Sequence, residues 1–421
     1  MVLTVVSAMP QTSAGSLTET ADMNQHFIKG VLFLLPLYLL SCSQKGQENE
    51  RIAQNVAESD QSEFLHIEKI PLDLDLFSTN GYFRLLGNQI LYVQAEIQDA
   101  YVFNMSGELV GKKLGKGEGP DKANGDLSYH IELPNGNHLF LGSSYVFKTF
   151  NSDLTEIVDK VTFNWGGRKA MYNTNELETP GLYSYHYRDE PYLDVEFLPV
   201  TDEGKIIIPV VISDHRNQGA SVQSKPFEYF KNAYMLGVID METGVLEKVF
   251  HPFPKQFIAY RGYPYFYNFT YRYVSEGELF VADRLTDEIY VYDASSLKLK
   301  STFGSRGMYF GDEVDHYDNY QDFLSGISVV NTLLSSYYLN LYADEDYIFR
   351  SYHVADHDPW GLQVYDRRTK ELLADVRVPF RFNVFDKRGD YYFADGIRNE
   401  ETEELAVYRF SIKNNELNLG E

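Results

Sequence analysis

Six copies of one short grammar, spread over residues 88–417, constrain this chain more than any other feature. The clearest copy is "GELFVADRLTDEIYVYDASSLKLKSTFGSRG" (277–307). It holds an apolar strand, Leu279-Phe280-Val281-Ala282, then a polar link and a second strand, Ile289-Tyr290-Val291-Tyr292. Asp293 sits at a turn, a third strand runs from Leu299 to Phe303, and Gly304 closes the unit. The same order recurs at 88–120 with Asn104 at the turn, at 137–163 with Asn151, and at 204–250, across a long insert, with Asp240. It recurs again at 345–378 with Asp366 and at 389–417 with Ser411. Asn, Asp and Ser suit one turn position because their side chains can bond backbone two residues on, and Asn and Asp tolerate left-handed backbone.

The six turn residues are spaced by 47, 89, 53, 73 and 45, as expected for propeller blades of about 45 residues carrying insertions. One such unit alone is a small sheet with two apolar faces. Radial stacking buries both faces and leaves only short edges. The expected fold is therefore all-β: a β-propeller of six blades, each a four-stranded antiparallel sheet. A seventh blade would fit in the widest interval, around "GLYSYHYRDEPYLDVEFLPV" (181–200). Composition agrees, with 33 Tyr, 28 Phe and only 2 Trp, and with few apolar stretches of helical period.

The other informative segment is "VLFLLPLYLLSCSQ" (31–44), which contains Cys42, the one cysteine of the chain. With a single cysteine, no intramolecular disulfide and no cysteine-based zinc site can form. Lys29 precedes ten mostly apolar residues, Val31 to Leu40, and a polar stretch follows the cysteine. Such a run is half the ~20 residues a membrane helix needs, but it suits the core of a signal peptide. It resembles a bacterial lipoprotein signal, which implies cleavage before Cys42 and acylation of its thiol. The expected organisation is a signal region at 1–41, with Met23 the natural start and 1–22 an extension. A flexible tether follows at 42–63, rich in Gln, Glu, Asn and Ser, and then one propeller domain at 64–421. The expected location is the cell envelope, on the outer membrane, held through the lipid on Cys42. A net charge of −24 argues against nucleic acid as a partner.

"LFVADRLTDEIYVYDASS" followed by "STFGSRG" resembles an NHL-type propeller repeat, and "GKKLGKGEGP" (111–120) is similar to the inter-blade segment of TolB-like six-bladed propellers. The whole pattern, lipoprotein signal plus acidic, Tyr-rich propeller, resembles the bacterial lipoprotein family called domain of unknown function 4221. That resemblance implies the fold and carries no activity.

Chemistry has to be sought among the residues themselves. In "GKKLGKG" (111–117) the glycines are one residue too close for a phosphate loop, and Gly117 stands where Ser or Thr should be. Lys112, Lys113 and Lys116 nevertheless form a basic patch in an acidic chain. No Gly-x-Ser-x-Gly or His-Glu-x-x-His motif is present. His353 and His357, beside Asp356 and Asp358, have helical ligand spacing in what reads as a loop. Asp312, Glu313, Asp315, Asp318 and Asp322 offer oxygens to calcium without the spacing of a calcium loop. "YRGYPYFYNFTYRY" (260–273) concentrates aromatic rings beside Arg261, Arg272 and Asn268, which suits either recognition of a ligand or packing between blades.

The expected function is a non-catalytic binding or scaffolding propeller for a glycan, a peptide or a partner protein, without a cofactor. The alternative is a propeller enzyme of the lactonase, lyase or glycan-cleaving kind with a metal in the central channel, and a structural subunit of an envelope assembly is a third class. The ligand is expected at the mouth of the channel. There, inter-blade loops would bring Lys116 and Arg306, and the ends of the innermost strands would bring Asp283, Arg284, Arg350, His353, Asp395 and Arg398.

Overall fold

The computed structural model describes residues 64–75, 81–94, 97–162, 181–182, 196–197, 200–211, 234–255, 270–310, 336–354, 360–399 and 402–413, except for some loop positions inside these ranges. They form six sheets. The first strand of the chain, β1 (Leu65–Pro71), belongs to the last sheet. Blade 1 is β2 (Gly81–Leu86), β3 (Gln89–Gln94), β4 (Asp99–Phe103) and β5 (Leu109–Leu114). Blade 2 is β6 (Tyr129–Glu132), β7 (His138–Leu141), β8 (Val146–Phe150) and β9 (Ile157–Thr162). Two short strands follow, β10 (Gly181–Leu182) and β11 (Glu196–Phe197). Blade 3 joins β10 to β12 (Lys205–Val211), β13 (Tyr234–Asp240) and β14 (Leu246–Pro252). Blade 4 is β15 (Thr270–Ser275), β16 (Glu278–Asp283), β17 (Ile289–Asp293) and β18 (Leu299–Phe303). Blade 5 is β19 (Tyr337–Ala343), β20 (Tyr347–His353), β21 (Trp360–Asp366) and β22 (Leu372–Val378). Blade 6 is β23 (Val384–Arg388), β24 (Tyr391–Ala394) and β26 (Glu404–Ile412), with β1 as its outer strand and the short β25 (Arg398–Asn399) paired to β26.

The apolar runs of the second strands are continuous because both of their faces are buried. In β16, Leu279 and Val281 pack on Ile207, Leu236 and Val238 of blade 3, while Phe280 and Ala282 pack on Leu341 and Ile348 of blade 5. In β12, Ile206 and Ile208 meet Ile131 and Leu139 of blade 2, and Ile207 turns to blade 4. The period of two in side-chain direction thus shares each strand between two neighbours. The same pattern joins blade 1 to blade 2 through Leu91, Val93 and Phe140, and blade 5 to blade 6 through Phe349, Val364 and Phe410. Phe393 and Val407 meet Phe83 and Ile90 between blades 6 and 1, which completes the ring.

The turn grammar has a geometric basis. Asn104 Oδ1 accepts from the Ser106 and Glu108 amides at 3.0 Å, and Asp293 Oδ1 accepts from the Ser296 amide at 2.9 Å. Asn151, Asp240 and Asp366 do the same in their own blades. In all five blades a β-bulge immediately precedes the turn, at Val102/Phe103, Thr149/Phe150, Val238/Ile239, Val291/Tyr292 and Val364/Tyr365. Gly304 is fixed by its conformation as well as by space. Its φ is +124°, and an added Cβ would lie 2.2 Å from the Asp287 carbonyl oxygen.

Two expectations need correction. Ser411 occupies the position equivalent to the turn residues, but it makes no turn; it pairs with His66 inside the β26–β1 ladder. The fourth strand of that blade comes from the other end of the chain, so no hairpin forms there. The interval 181–200 yields no seventh blade among the described residues: β10 pairs with β12, and β11 pairs in parallel with β6.

Candidate functional site

First strands of neighbouring blades touch one another, β15 with β19, β19 with β23 and β23 with β2, so these strands line the axis. The sequence-derived candidates lie elsewhere. Asp283 ends β16 and Arg284 follows it, Arg350 and His353 lie on β20, Asp395 follows β24, and Arg398 starts β25. None lies on the first strand of its blade: Asp283, Arg350 and His353 belong to second strands, Arg284 and Asp395 follow second strands, and Arg398 lies on β25 beside β26.

The structure gives most of these residues partners within the protein. Arg350 is fully buried. Its Nε donates to Gln363 Oε1 at 2.9 Å, Nη1 to the Asp287 carbonyl at 2.8 Å and Nη2 to the Ser305 carbonyl at 2.7 Å. The guanidinium also lies 3.8 Å from the Tyr338 ring centroid. Arg350 therefore ties the loop after blade 4 to blade 5. Arg398 is paired with Asp395 in a buried ion pair. Arg284 and His353 come together through one ring: the guanidinium covers Tyr337 at 3.9 Å, and Tyr337 stacks on His353 at 4.9 Å. Lys116 and Arg306 are exposed in inter-blade loops, with Arg306 5.3 Å from the Phe310 ring. Lys112 lies on β5 and its Nζ is 2.6 Å from Asp99. His357, Asp356 and Asp358, the acidic stretch 312–322 and residues 260–269 lie outside the described residues.

The axis holds a cluster that sequence reasoning missed. Arg84 on β2 donates from Nη1 to the Phe385 carbonyl at 3.0 Å. Burial lowers its pKa to about 10, against the opposing pull of Asp386, Tyr273, Tyr82 and Glu132. Burial likewise raises Asp386 to about 6, with Arg84 working in the other direction. These residues come from the first strands of blades 1, 2, 4 and 6. The signal was a lone charge inside a short apolar strand, as in "GYFRLL".

One group of three carboxylates lies close enough to share a cation among the described residues: Asp344, Glu345 and Asp346. Lys387 Nζ already stands among them, at 2.9, 2.9 and 3.1 Å. This is the inner hairpin of blade 5, where Asp344 Oδ1 accepts from the Asp346 and Tyr347 amides at 2.8 Å.

A cavity of about 830 Å³ opens between blades 3 and 4, within the ~300–1,000 Å³ typical of small-ligand sites. Tyr234, Phe250, Phe253, Tyr290 and Tyr292 supply aromatic walls, Pro252 and Pro254 one edge, and Lys255 and Glu288 the charges. His251 lies against it, 2% exposed, with φ +58°, in the left-handed region that non-glycine residues seldom occupy. Both ring nitrogens have partners: Nε2 is 3.1 Å from Asp283 Oδ1 and Nδ1 is 2.8 Å from the Tyr292 hydroxyl. Burial, and then the charge of Asp283, push the Tyr290 and Tyr292 phenols above their usual range, so both remain protonated. Of this constellation only Asp283 was a sequence candidate.

Fold and cleft define a six-bladed β-propeller with a polar chain at the base of an inter-blade aromatic cleft. No protein-family model matches the chain, and no curated protein matches it in sequence. Among solved structures it is similar to a member of the DUF4221 family from Bacteroides vulgatus, with 13% identity and a TM-score of 0.55 over 83% of this chain and 98% of that one. It is also similar to an exported protein from Bacteroides fragilis, with 14% identity and a TM-score of 0.50 over 84% of this chain and 97% of that one. At such identities the likeness extends to the fold.

Proposed function

We propose that this chain is a lipid-anchored propeller of the cell envelope that binds its ligand in the cleft between blades 3 and 4. The observation that carries this reading is the cleft itself, an aromatic-lined volume of about 830 Å³ with a few polar groups at fixed positions. The sites expected from the sequence compete less well, because Arg350 and Arg398 are already engaged within the protein. Export of a protein of similar fold supports the envelope location, and the signal-like segment ending at Cys42 supports the anchor. An acylated Cys42 would hold the protein by burying methylenes at ~0.8 kcal/mol each.

Two experiments test this. Fatty-acid labelling in cells should mark the wild type and fail to mark Cys42→Ala; label retained in the mutant would overturn the anchor. Indole, used as an aromatic probe of the mature protein by ligand-detected NMR, should lose its signal in Phe253→Ala and Tyr290→Ala and keep it in Lys116→Ala and Arg306→Ala. The reverse pattern would move the site to the channel mouth.

A further inference from the structure

We propose that the cleft takes an extended acidic peptide segment, which adds as a strand beside β14 and seats its apolar side chains between blades 3 and 4. This rests on the reading of the cleft as the ligand site. The walls carry the inference. Among the described residues β14 is the last strand of its sheet, and β18 is the last of the next. The cleft is therefore walled by the outer strands of two blades, with Val249 to Pro252 on one side and Leu299 and Thr302 on the other. The outward backbone groups of a sheet's last strand are met most fully by another strand. Pro252 has no N–H, so pairing along β14 stops before it. Successive side chains of an added strand point to opposite faces, so every second one enters the cleft.

The lining asks for apolar side chains. Tyr234 and Leu299 are 40% and 54% exposed, beside the buried Phe250, Phe253 and Tyr292, so apolar surface runs from the floor of the cleft to its rim. The polar floor makes no competing demand. Both ring nitrogens of His251 have partners, in Tyr292 and Asp283, whichever way the protons lie. Glu288 is likewise engaged within the protein. The charges on the two outer strands select the sign of the occupant. The acids there are paired, Glu247 with Lys205 at 2.7 Å and Asp293 with Lys300 at 3.2 Å. Lys255 lines the cleft, Lys248 precedes Val249, and Lys298 lies between Leu297 and Leu299. All three lysines are exposed, and none of their ammonium groups has a partner among the described residues. An extended segment that alternates apolar and acidic side chains matches both the cleft and its rim.

The test titrates the mature protein into three fluorescein-labelled peptides and follows their anisotropy. One peptide alternates Phe and Asp, one alternates Phe and Lys, and one alternates Ser and Asp. With a net charge of −24 the protein as a whole favours the lysine peptide, so a preference for the Phe–Asp peptide reports the local lysines. That peptide should bind about tenfold or more tightly than either of the others. The triple variant Lys248→Gln, Lys255→Gln, Lys298→Gln changes exposed side chains alone, and it should lose this preference while melting as the wild type does. Methylating alternate amides of the peptide should abolish binding in one register and spare it in the other, because one set of N–H groups faces β14. Equal binding of the Phe–Asp and Phe–Lys peptides, or a preference kept by the triple variant, would overturn the proposal. Indifference to methylation in both registers would overturn strand addition. Binding of indole in the cleft with no binding of any peptide would overturn the peptide assignment while leaving the cleft as a ligand site. Failure of indole and peptides alike would overturn both.

Discussion

His251 Nε2 lies 3.1 Å from Asp283 Oδ1, and this contact joins the outer strand of blade 3 to the second strand of blade 4. Both side chains are almost wholly excluded from solvent, at 1% and 0% exposure. The contact therefore orients the cleft and staples two blades at once. Asp283→Ala strands one imidazole nitrogen in a buried site and should cost about 1–3 kcal/mol, as leaving a buried polar group unsatisfied does. Tyr292→Phe removes the hydroxyl that meets the other ring nitrogen and should cost about as much. Urea denaturation measures both, and losses under half a kcal/mol for Asp283→Ala would show that the contact carries no load.

The blade 2 histidines should make stability fall in acid. His130 Nε2 and His138 Nδ1 lie 3.0 Å apart and buried, and burial holds His138 at about 4 and His130 well below its usual value. The unfolded chain takes up protons near pH 6.5 that the folded chain refuses. Their contribution is therefore intact above about pH 6.5 and is lost as the pH falls toward 4, by roughly 2–3 kcal/mol for His138 alone. Asp386, raised to about 6, works the other way over the same window, since its protonated form is favoured in the fold. Denaturation midpoints from pH 7 to 4.5 should decline in the wild type and decline less in His138→Phe. Parallel declines would rule out the pair as the source.

Arg350 should behave as a scaffold residue. Its Nε, Nη1 and Nη2 all donate to protein acceptors within 2.9 Å. Arg350→Met removes the donor to the Asp287 carbonyl, while the Ser305 carbonyl keeps Gln363 Nε2 at 3.0 Å and Gln363 Oε1 keeps the Tyr365 hydroxyl at 2.9 Å. A loss of about 1–3 kcal/mol is expected, with cleft binding unchanged once the variant is folded. Loss of binding at unchanged stability would return Arg350 to the ligand.

Ring closure depends on β1. Its seven residues pair with β26 from Leu65↔Ile412 to Pro71↔Ala406, and Leu65 and Ile70 are buried in the closing blade. A chain starting after Pro71 should open the ring, expose a sheet edge and aggregate. Size-exclusion chromatography would reveal it, and a monomeric, cooperatively melting truncation would contradict closure by β1.

Much of the ring was legible in the sequence, for a physical reason. Second and third strands, such as those around Phe280 and Val291, are buried on both faces and read as apolar runs, and the local Asx turn follows each third strand. First strands were less legible, because β23, with Asp386, faces the axis on one side and mixes polar with apolar residues. Ser411 misled because the partner that replaces its hairpin lies more than three hundred residues away, at His66. The cleft was illegible for the same reason. The three residues of its buried polar chain, His251, Asp283 and Tyr292, come from two blades, and nothing local at His251 announces Asp283; only the flanking aromatics and prolines of "VFHPFP" (249–254) set that stretch apart.

The most direct measurement is a crystal structure of the mature protein soaked with indole. Electron density is expected between blades 3 and 4, with the ring against Tyr290 and Phe253. Density beside Arg284 and Arg398, with the inter-blade cleft unoccupied, would contradict it.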